Sequence, residues 1–177
     1  MKRFIIRIII IFLIGVFQSS FFNLFSIGRS AVKPNFLLLM IIFYALSSGC
    51  YEGAITGFWA GLAQDIISGK ILGVYAAIGL VAGLLIGLLK ERIYRDNAAV
   101  NALLVFIITI LYELAVALCI GTNIWGRGRF FYCFFNIIFI EALYNAVMSL
   151  WMFKVMNKIK GPENGYMQIK REVEPYR

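Results

Sequence analysis

Three carboxylates interrupt the apolar segments of this chain: Asp65, Glu113 and Glu141. A carboxylate among apolar residues needs a partner, a watery cavity or a proton, because a charge that faces lipid is costly. Such groups could form an acid/base pair across helices, but catalysis also requires a nucleophile or a metal. The chain has no histidine, no G-x-S-x-G motif and no phosphate-binding loop. We therefore predict no catalytic residue and no enzymatic activity.

The cysteines do not form a metal-binding pattern. Cys50, Cys119 and Cys133 lack C-x-x-C spacing, and Zn²⁺ sites of this type need several Cys or His ligands. We predict no metal site and no cofactor. Buried free thiols are the favoured interpretation, and a disulfide between Cys119 and Cys133 is the alternative.

The polar residues of the last two apolar runs are candidates for contacts between helices. Glu141 and Asn145 are four residues apart and therefore share one helix face. Hydrogen bonding inside a bundle is the favoured interpretation. Two alternatives stay open: a groove lined by Glu113, Glu141 and Asn145 that receives a partner helix or ligand, and exposure of both glutamates to lipid.

The elements that must position these residues are membrane helices. Hydrophobic residues make up 62% of the chain, charged residues 15%, and the mean hydropathy is +0.85. A transmembrane helix needs about 20 apolar residues, so 177 residues can hold about six. We predict an all-α, polytopic membrane bundle over residues 1–160 and a cytoplasmic tail over 161–177. The predicted spans are about 4–24, 34–49, 52–67, 72–89, 98–120 and 133–153.

Glycines recur every four residues in the third and fourth predicted spans. Small residues let backbones approach closely in a bilayer, so this spacing predicts a helix-packing seam. Asp65 and its neighbour Gln64 are predicted to be structural polar residues. We expect Asp65 to accept hydrogen bonds from the turn at residues 68–70 or to pair with Lys70. The predicted seam comprises Gly53, Gly57, Gly61, Gly69, Gly73, Gly79, Gly83 and Gly87.

The basic residues predict the orientation in the membrane. Twelve of the 17 lysines and arginines lie on one predicted side of the spans, and basic residues favour the cytoplasm. Both termini are therefore predicted to be cytoplasmic. The first helix is expected to be retained as an anchor, because Arg7 interrupts it and no A-x-A cleavage site follows. The net charge of +8 is attributed to this bias and to attraction by anionic lipids, and nucleic acid is not expected as a partner.

Aromatic and basic residues concentrate in the predicted outer loop before the sixth span. An interfacial aromatic belt is the favoured interpretation. The alternative is a docking surface for an extracytoplasmic partner, because aromatics and arginine are enriched at binding hot spots. The candidate residues are Trp125, Arg127, Arg129, Phe130, Phe131 and Tyr132.

Several motifs in the first 90 residues follow one another in a family-specific order. They are Gln18-Ser19, Lys33-Pro34-Asn35-Phe36-Leu37-Leu38-Leu39, Gly49, Gly53, Gly57-Phe58-Trp59-Ala60-Gly61-Leu62-Ala63-Gln64-Asp65, Ser68-Gly69 and Leu72-Gly73. This order resembles the bacterial rod shape-determining protein MreD family, and Gln18 is accordingly assigned a structural role. Asn35 differs from the aspartate that the family commonly carries after the proline. The last two spans match only in length, hydropathy and position.

The resemblance implies a non-enzymatic scaffold of the cell-elongation complex, which synthesises peptidoglycan at the bacterial plasma membrane. The implied partners are the bitopic protein MreC, the MreB filaments and the peptidoglycan polymerase and transpeptidase pair. The family also resembles in fold the six-helix substrate-binding subunits of energy-coupling-factor vitamin transporters. A small-molecule (vitamin) binding subunit of such a transporter is therefore the alternative function.

Overall fold

The computed structural model describes residues 2–21, 32–69, 71–90, 98–120 and 131–160. These residues form helices and short connections, in agreement with the predicted all-α class. A π-helical turn, Phe134–Ile138, runs directly into the last helix. The predicted tail over 161–177 lies outside the described residues. The helices are α1 (Lys2–Phe21), α2 (Phe36–Ser48), α3 (Cys50–Ser68), α4 (Val74–Leu88), α5 (Ala98–Ile120) and α6 (Phe139–Lys160).

The described helices differ in their capacity to cross a membrane. Two segments, Ala99–Ile120 and Phe131–Val155, are long and apolar enough by length and composition. The apolar stretches Ile5–Ser20, Phe36–Ser48 and Val74–Leu88 are shorter. At a rise of about 1.5 Å per residue, a 15-residue helix such as α4 is only about 22 Å long. Six complete spans therefore remain a prediction.

The helix α2 lies at the centre of the bundle. Every residue from Leu37 to Phe43 is buried, as are Ala45 and Leu46. A helix that is apolar on all sides needs neighbours on all sides, and α2 contacts each of the other five helices. Its first turn is capped by the side-chain oxygen of Asn35, which accepts the N–H of Leu38 at 3.1 Å. This arrangement makes α2 the core around which the other helices are placed.

The closest helix contact is between α3 and α4, and it is made by glycine backbones. A Cβ atom on Gly57 would overlap the carbonyl oxygen of Gly79, and one on Gly83 would overlap that of Gly53. No side chain fits between backbones at this separation, so the contact requires small residues. The glycines at the contact are Gly53, Gly57, Gly61, Gly79, Gly83 and Gly87.

The prediction that Gly69 and Gly73 belong to this seam was wrong. Both lie between α3 and α4, and an added Cβ would meet no atom within 4 Å. Their φ angles are 61° and 98°, a left-handed conformation that glycine adopts at little steric cost. Gly69 ends α3 in this conformation. The four-residue spacing continues through Gly69 and Gly73 in the sequence. These two glycines nevertheless lie in a turn, so they do not extend the helix face that forms the seam.

Candidate functional site

Asp65 joins the end of α3 to the beginning of α4. Its side chain is buried, and its two oxygens accept the N–H groups of Gly73, Tyr75 and Ala76, each at 3.0 Å. The first N–H groups of a helix have no partner inside that helix, and a negative charge is favourable at this end. The carboxylate is therefore stabilised by backbone donors inside the protein rather than exposed to lipid.

Two of the donors predicted for this carboxylate, Ser68 and Gly69, were wrong. The hydroxyl of Ser68 and the N–H of Gly69 donate to the main-chain carbonyl of Asp65, at 3.2 and 3.0 Å. Lys70, the predicted alternative partner, lies outside the described residues. The residues directly after Asp65 were expected to donate because they are close in the sequence. The glycine seam instead packs α4 back along α3, which places the first turn of α4 beside the carboxylate.

Arg7 forms a polar contact between α1 and α3 that was not predicted from the sequence. Its guanidinium forms an ion pair with Glu52, lies 3.5 Å from the hydroxyl of Thr56, and stacks 4.5 Å from the ring centroid of Tyr44. The Thr56 hydroxyl in turn donates to the carbonyl of Glu52 at 2.7 Å. In the sequence, Arg7 stands out as a charge that interrupts the first apolar run. The sequence feature that could have predicted this ion pair is an arginine in an apolar helix together with Glu52 in the first turn of α3.

Asn145 connects α2, α5 and α6 in the bundle interior. It is fully buried, its Oδ1 accepts the N–H of Asn35 at 2.8 Å, and its Nδ2 donates to the hydroxyl of Thr109 at 3.3 Å. Gln18 of α1 also binds the beginning of α2, because its Oε1 accepts the N–H of Phe36 at 3.0 Å. These contacts correspond to hydrogen bonding within the bundle. The groove-lining, partner-binding role predicted for Asn145 does not fit its buried position.

Glu113 and Glu141 come together between α5 and α6. Both are partly buried, and they interact electrostatically with each other and with the phenols of Tyr75 and Tyr112. On α3, the buried Oε1 of Gln64 has no hydrogen-bond partner among the described residues. Within these same residues, no group of three or more His, Cys, Asp or Glu side chains could hold a metal ion. The arrangement places two acids and two phenols within electrostatic range of one another.

The described part of the aromatic segment is exposed. Phe131 and Tyr132 are 62% and 55% accessible, whereas Trp125, Arg127, Arg129 and Phe130 lie outside the described residues. The π-helical turn follows directly, with the rings of Phe134 and Phe135 in an edge-to-face contact at 5.3 Å. These aromatic residues thus lie directly before α6.

All three cysteines are free thiols. Cys50 and Cys133 are partly buried. Cys119 is exposed, so the prediction that it is buried was wrong.

Most of the chain matches one protein family. The family model described as rod shape-determining protein MreD matches residues 2–159. The chain belongs to the MreD family. The match includes α5 and α6, for which the sequence motifs gave only length, hydropathy and position. MreD proteins are membrane proteins with a role in rod shape determination, and the family is not a known enzyme family. No solved structure matches this MreD chain.

Proposed function

We propose that this MreD protein is a non-enzymatic, multi-pass scaffold of the bacterial cell-elongation complex and that it binds MreC. The family match over residues 2–159 is the observation that carries the proposal. The described polar contacts are consistent with it, because Asp65, Arg7 and Asn145 join helices to one another. Through MreC or directly, the scaffold would reach the MreB filaments and the peptidoglycan polymerase and transpeptidase pair.

The surface proposed for MreC is the exposed face of α6 together with the residues that precede it. Phe131, Phe135, Phe139 and Leu143 are exposed and recur every four residues. Apolar contact between membrane helices depends on close packing of such side chains, and large aromatics dominate many binding hot spots. Glu141 lies within this segment, beside Glu113 of α5, and would add a polar contact to the docking face.

Orientation is part of the proposal. Both termini are placed in the cytoplasm, because the basic residues of the sequence are concentrated on that side. The exposed start of α6 then faces the extracytoplasmic side of the membrane. A membrane-anchored partner with an extracytoplasmic region, such as MreC, would meet this end.

Site-specific photocrosslinking tests the proposed surface. A photoreactive phenylalanine analogue is placed at Phe135 and, as a matched control, at Leu84, which is exposed on α4. We expect Phe135 to crosslink to MreC in cells and Leu84 not to do so. Crosslinks from Leu84 alone would reject the α6 surface. Co-purification of a vitamin and an ATPase module without MreC would reject the scaffold itself and favour the transporter subunit.

A further inference from the structure

The direction in which Phe131 points is set by the π-helical turn that follows it. Phe131 precedes Asn145 by 14 residues, and an α-helix turns by about 100° per residue. In an uninterrupted α-helix the two side chains would therefore point within about 40° of each other around the axis. Asn145 is fully buried, whereas Phe131 is 62% exposed. The helix is not uninterrupted, and Phe131 points away from the bundle.

The π-helical turn Phe134–Ile138 rotates the residues before it by about one position. The N–H of Phe139 donates to the carbonyl of Phe134, five residues earlier, so this turn holds one residue more than an α-helical turn. The extra residue shifts Phe131 by about 100° around the axis. Cys133 is brought to the inner face in its place, in agreement with its partial burial.

The rotation aligns four apolar side chains, here called the aromatic row: Phe131, Phe135, Phe139 and Leu143. Without the π-helical turn, Phe131 would lie about 120° from Leu143 around the axis, and with the turn it lies about 20° away. Phe135 and Phe139 lie between them, with ring centroids 6.4 Å apart. The exposed fractions of the four side chains are 62%, 56%, 40% and 53%. Residues spaced by four form the ridge that a second helix packs against.

The side chain of Asn136 replaces a backbone hydrogen bond in the π-helical turn. In an α-helix the N–H of residue 136 would donate to the carbonyl of Tyr132. Here the side-chain amide of Asn136 donates to that carbonyl at 3.1 Å. Single π-helical turns are rare and are frequent at functional sites. Lipid tails are as apolar as leucine and have no fixed arrangement, so a face that contacts only lipid gains nothing from a straight row.

Building on the proposed function, we propose that Asn136 is a positioning residue for a partner helix. It stabilises the π-helical turn, the turn aligns the aromatic row, and one transmembrane helix of the partner packs along the whole row. The segment Phe131–Val155 is long and apolar enough to cross a membrane, and a single partner segment in hydrocarbon must be helical to satisfy its own backbone. The row spans 12 residues, about 18 Å, which is more than three turns of contact.

Photocrosslinking in cells tests the partner helix. A photoreactive phenylalanine analogue replaces Phe131 or, as the matched control beyond the π-helical turn, Leu143. We expect both positions to crosslink to MreC in the otherwise unchanged chain. Asn136→Ala should abolish the Phe131 crosslink and retain the Leu143 crosslink. Deleting Ile137 in the Asn136→Ala chain shortens the turn by one residue, so an α-helix again aligns the row and the Phe131 crosslink should return.

A spin label at Phe131→Cys reads the rotation without any partner. The full chain, with its three cysteines replaced by serine, is placed in nanodiscs of phosphatidylethanolamine and phosphatidylglycerol. We expect the label to collide readily with oxygen, to lose these collisions in Asn136→Ala and to regain them when Ile137 is also deleted. Unchanged collisions in Asn136→Ala would overturn the positioning role, as would a Phe131 crosslink that survives this substitution.

The two measurements separate this proposal from the proposed function. If the label shows the rotation but neither position crosslinks to any protein, the row faces lipid and the docking of a helix is overturned. If both positions crosslink instead to one identified single-span protein other than MreC, the helix docking is supported and MreC is rejected as its source. The Leu143 crosslink also reports whether each variant chain is folded in the membrane.

Discussion

Oδ1 of Asp65, near the end of α3, lies 3.0 Å from the backbone nitrogen of Tyr75 in the first turn of α4. This contact, with the parallel contacts to Gly73 and Ala76, makes one side chain the cap of the next helix. It explains how a carboxylate is tolerated in an apolar hairpin. The glycine seam and this cap join the same pair of helices, so both close backbone packing and side-chain hydrogen bonds hold α3 to α4.

Replacing Asp65 with asparagine should destabilise this hairpin. The amide retains one acceptor and loses the charge, and hydrogen bonds to charged groups contribute about 1.5–3 kcal/mol. We expect a lower free energy of unfolding in detergent and less protein in the membrane. Ser68→Ala is the matched control, because its hydroxyl donates to the main-chain carbonyl of Asp65 and not to the carboxylate. Unchanged membrane accumulation and partner binding in Asp65→Asn would show that the cap is dispensable.

Enlarging a seam glycine should separate α3 from α4. Gly57→Leu and Gly61→Leu would place side chains against the backbones at Gly79 and Tyr75, and overpacking costs about 1–3 kcal/mol. The measurement is the thermal midpoint in detergent. Ala77→Leu adds three of the same four side-chain carbons at an exposed position of α4 and should change the thermal midpoint little. Wild-type midpoints for both glycine variants would refute the seam.

The ion pair between Arg7 and Glu52 should show energetic coupling. Exposed pairs contribute about 0.2–1 kcal/mol, but Arg7 is largely buried and also contacts Tyr44. A double-mutant cycle with Arg7→Met and Glu52→Gln should therefore give a coupling energy above about 1 kcal/mol. Additive effects of the two substitutions on the free energy of unfolding would mean that the pair does not hold α1 to α3.

The two hydrogen bonds of Asn145 can be separated by substitution. Asn145→Asp keeps the acceptor for the Asn35 N–H and removes the donor to Thr109, whereas Asn145→Leu removes both. Hydrogen bonds between membrane helices contribute about 0.6 kcal/mol on average. Thr109→Val removes the same contact from the other side and is the matched comparison. We expect thermal stability to be lowest for Asn145→Leu, and equal stability of all variants would contradict a structural role.

The sequence predicted the helices better than it predicted their contacts. Apolar runs place a helix from its own residues, so α2 and α5 lie close to their predicted ranges. The partners of Asp65 depend on how α4 folds back, which no local pattern encodes. Arg7 shows the same limit, because its partners Glu52 and Tyr44 are far away in the sequence. Gly69 and Gly73 share the seam's spacing, but only the backbone angles reveal that they form a turn.

The partner predictions depend on residues that sequence alone could not place in space. Glu113 and Glu141 were predicted as candidates from their polarity, and the fold brings them together on neighbouring helices. Asn145 is also polar and lies on the same helix face as Glu141, yet its side chain is fully buried. Position on a helix face therefore does not determine exposure when another helix covers part of that face.

Native mass spectrometry of the affinity-tagged chain, extracted with its surrounding lipids, tests the central claim most directly. The scaffold account predicts a complex that contains MreC, and it predicts that Phe135→Ala weakens this complex more than Leu84→Ala does. A complex that contains a bound vitamin and an ATPase module, with MreC absent, would contradict the account.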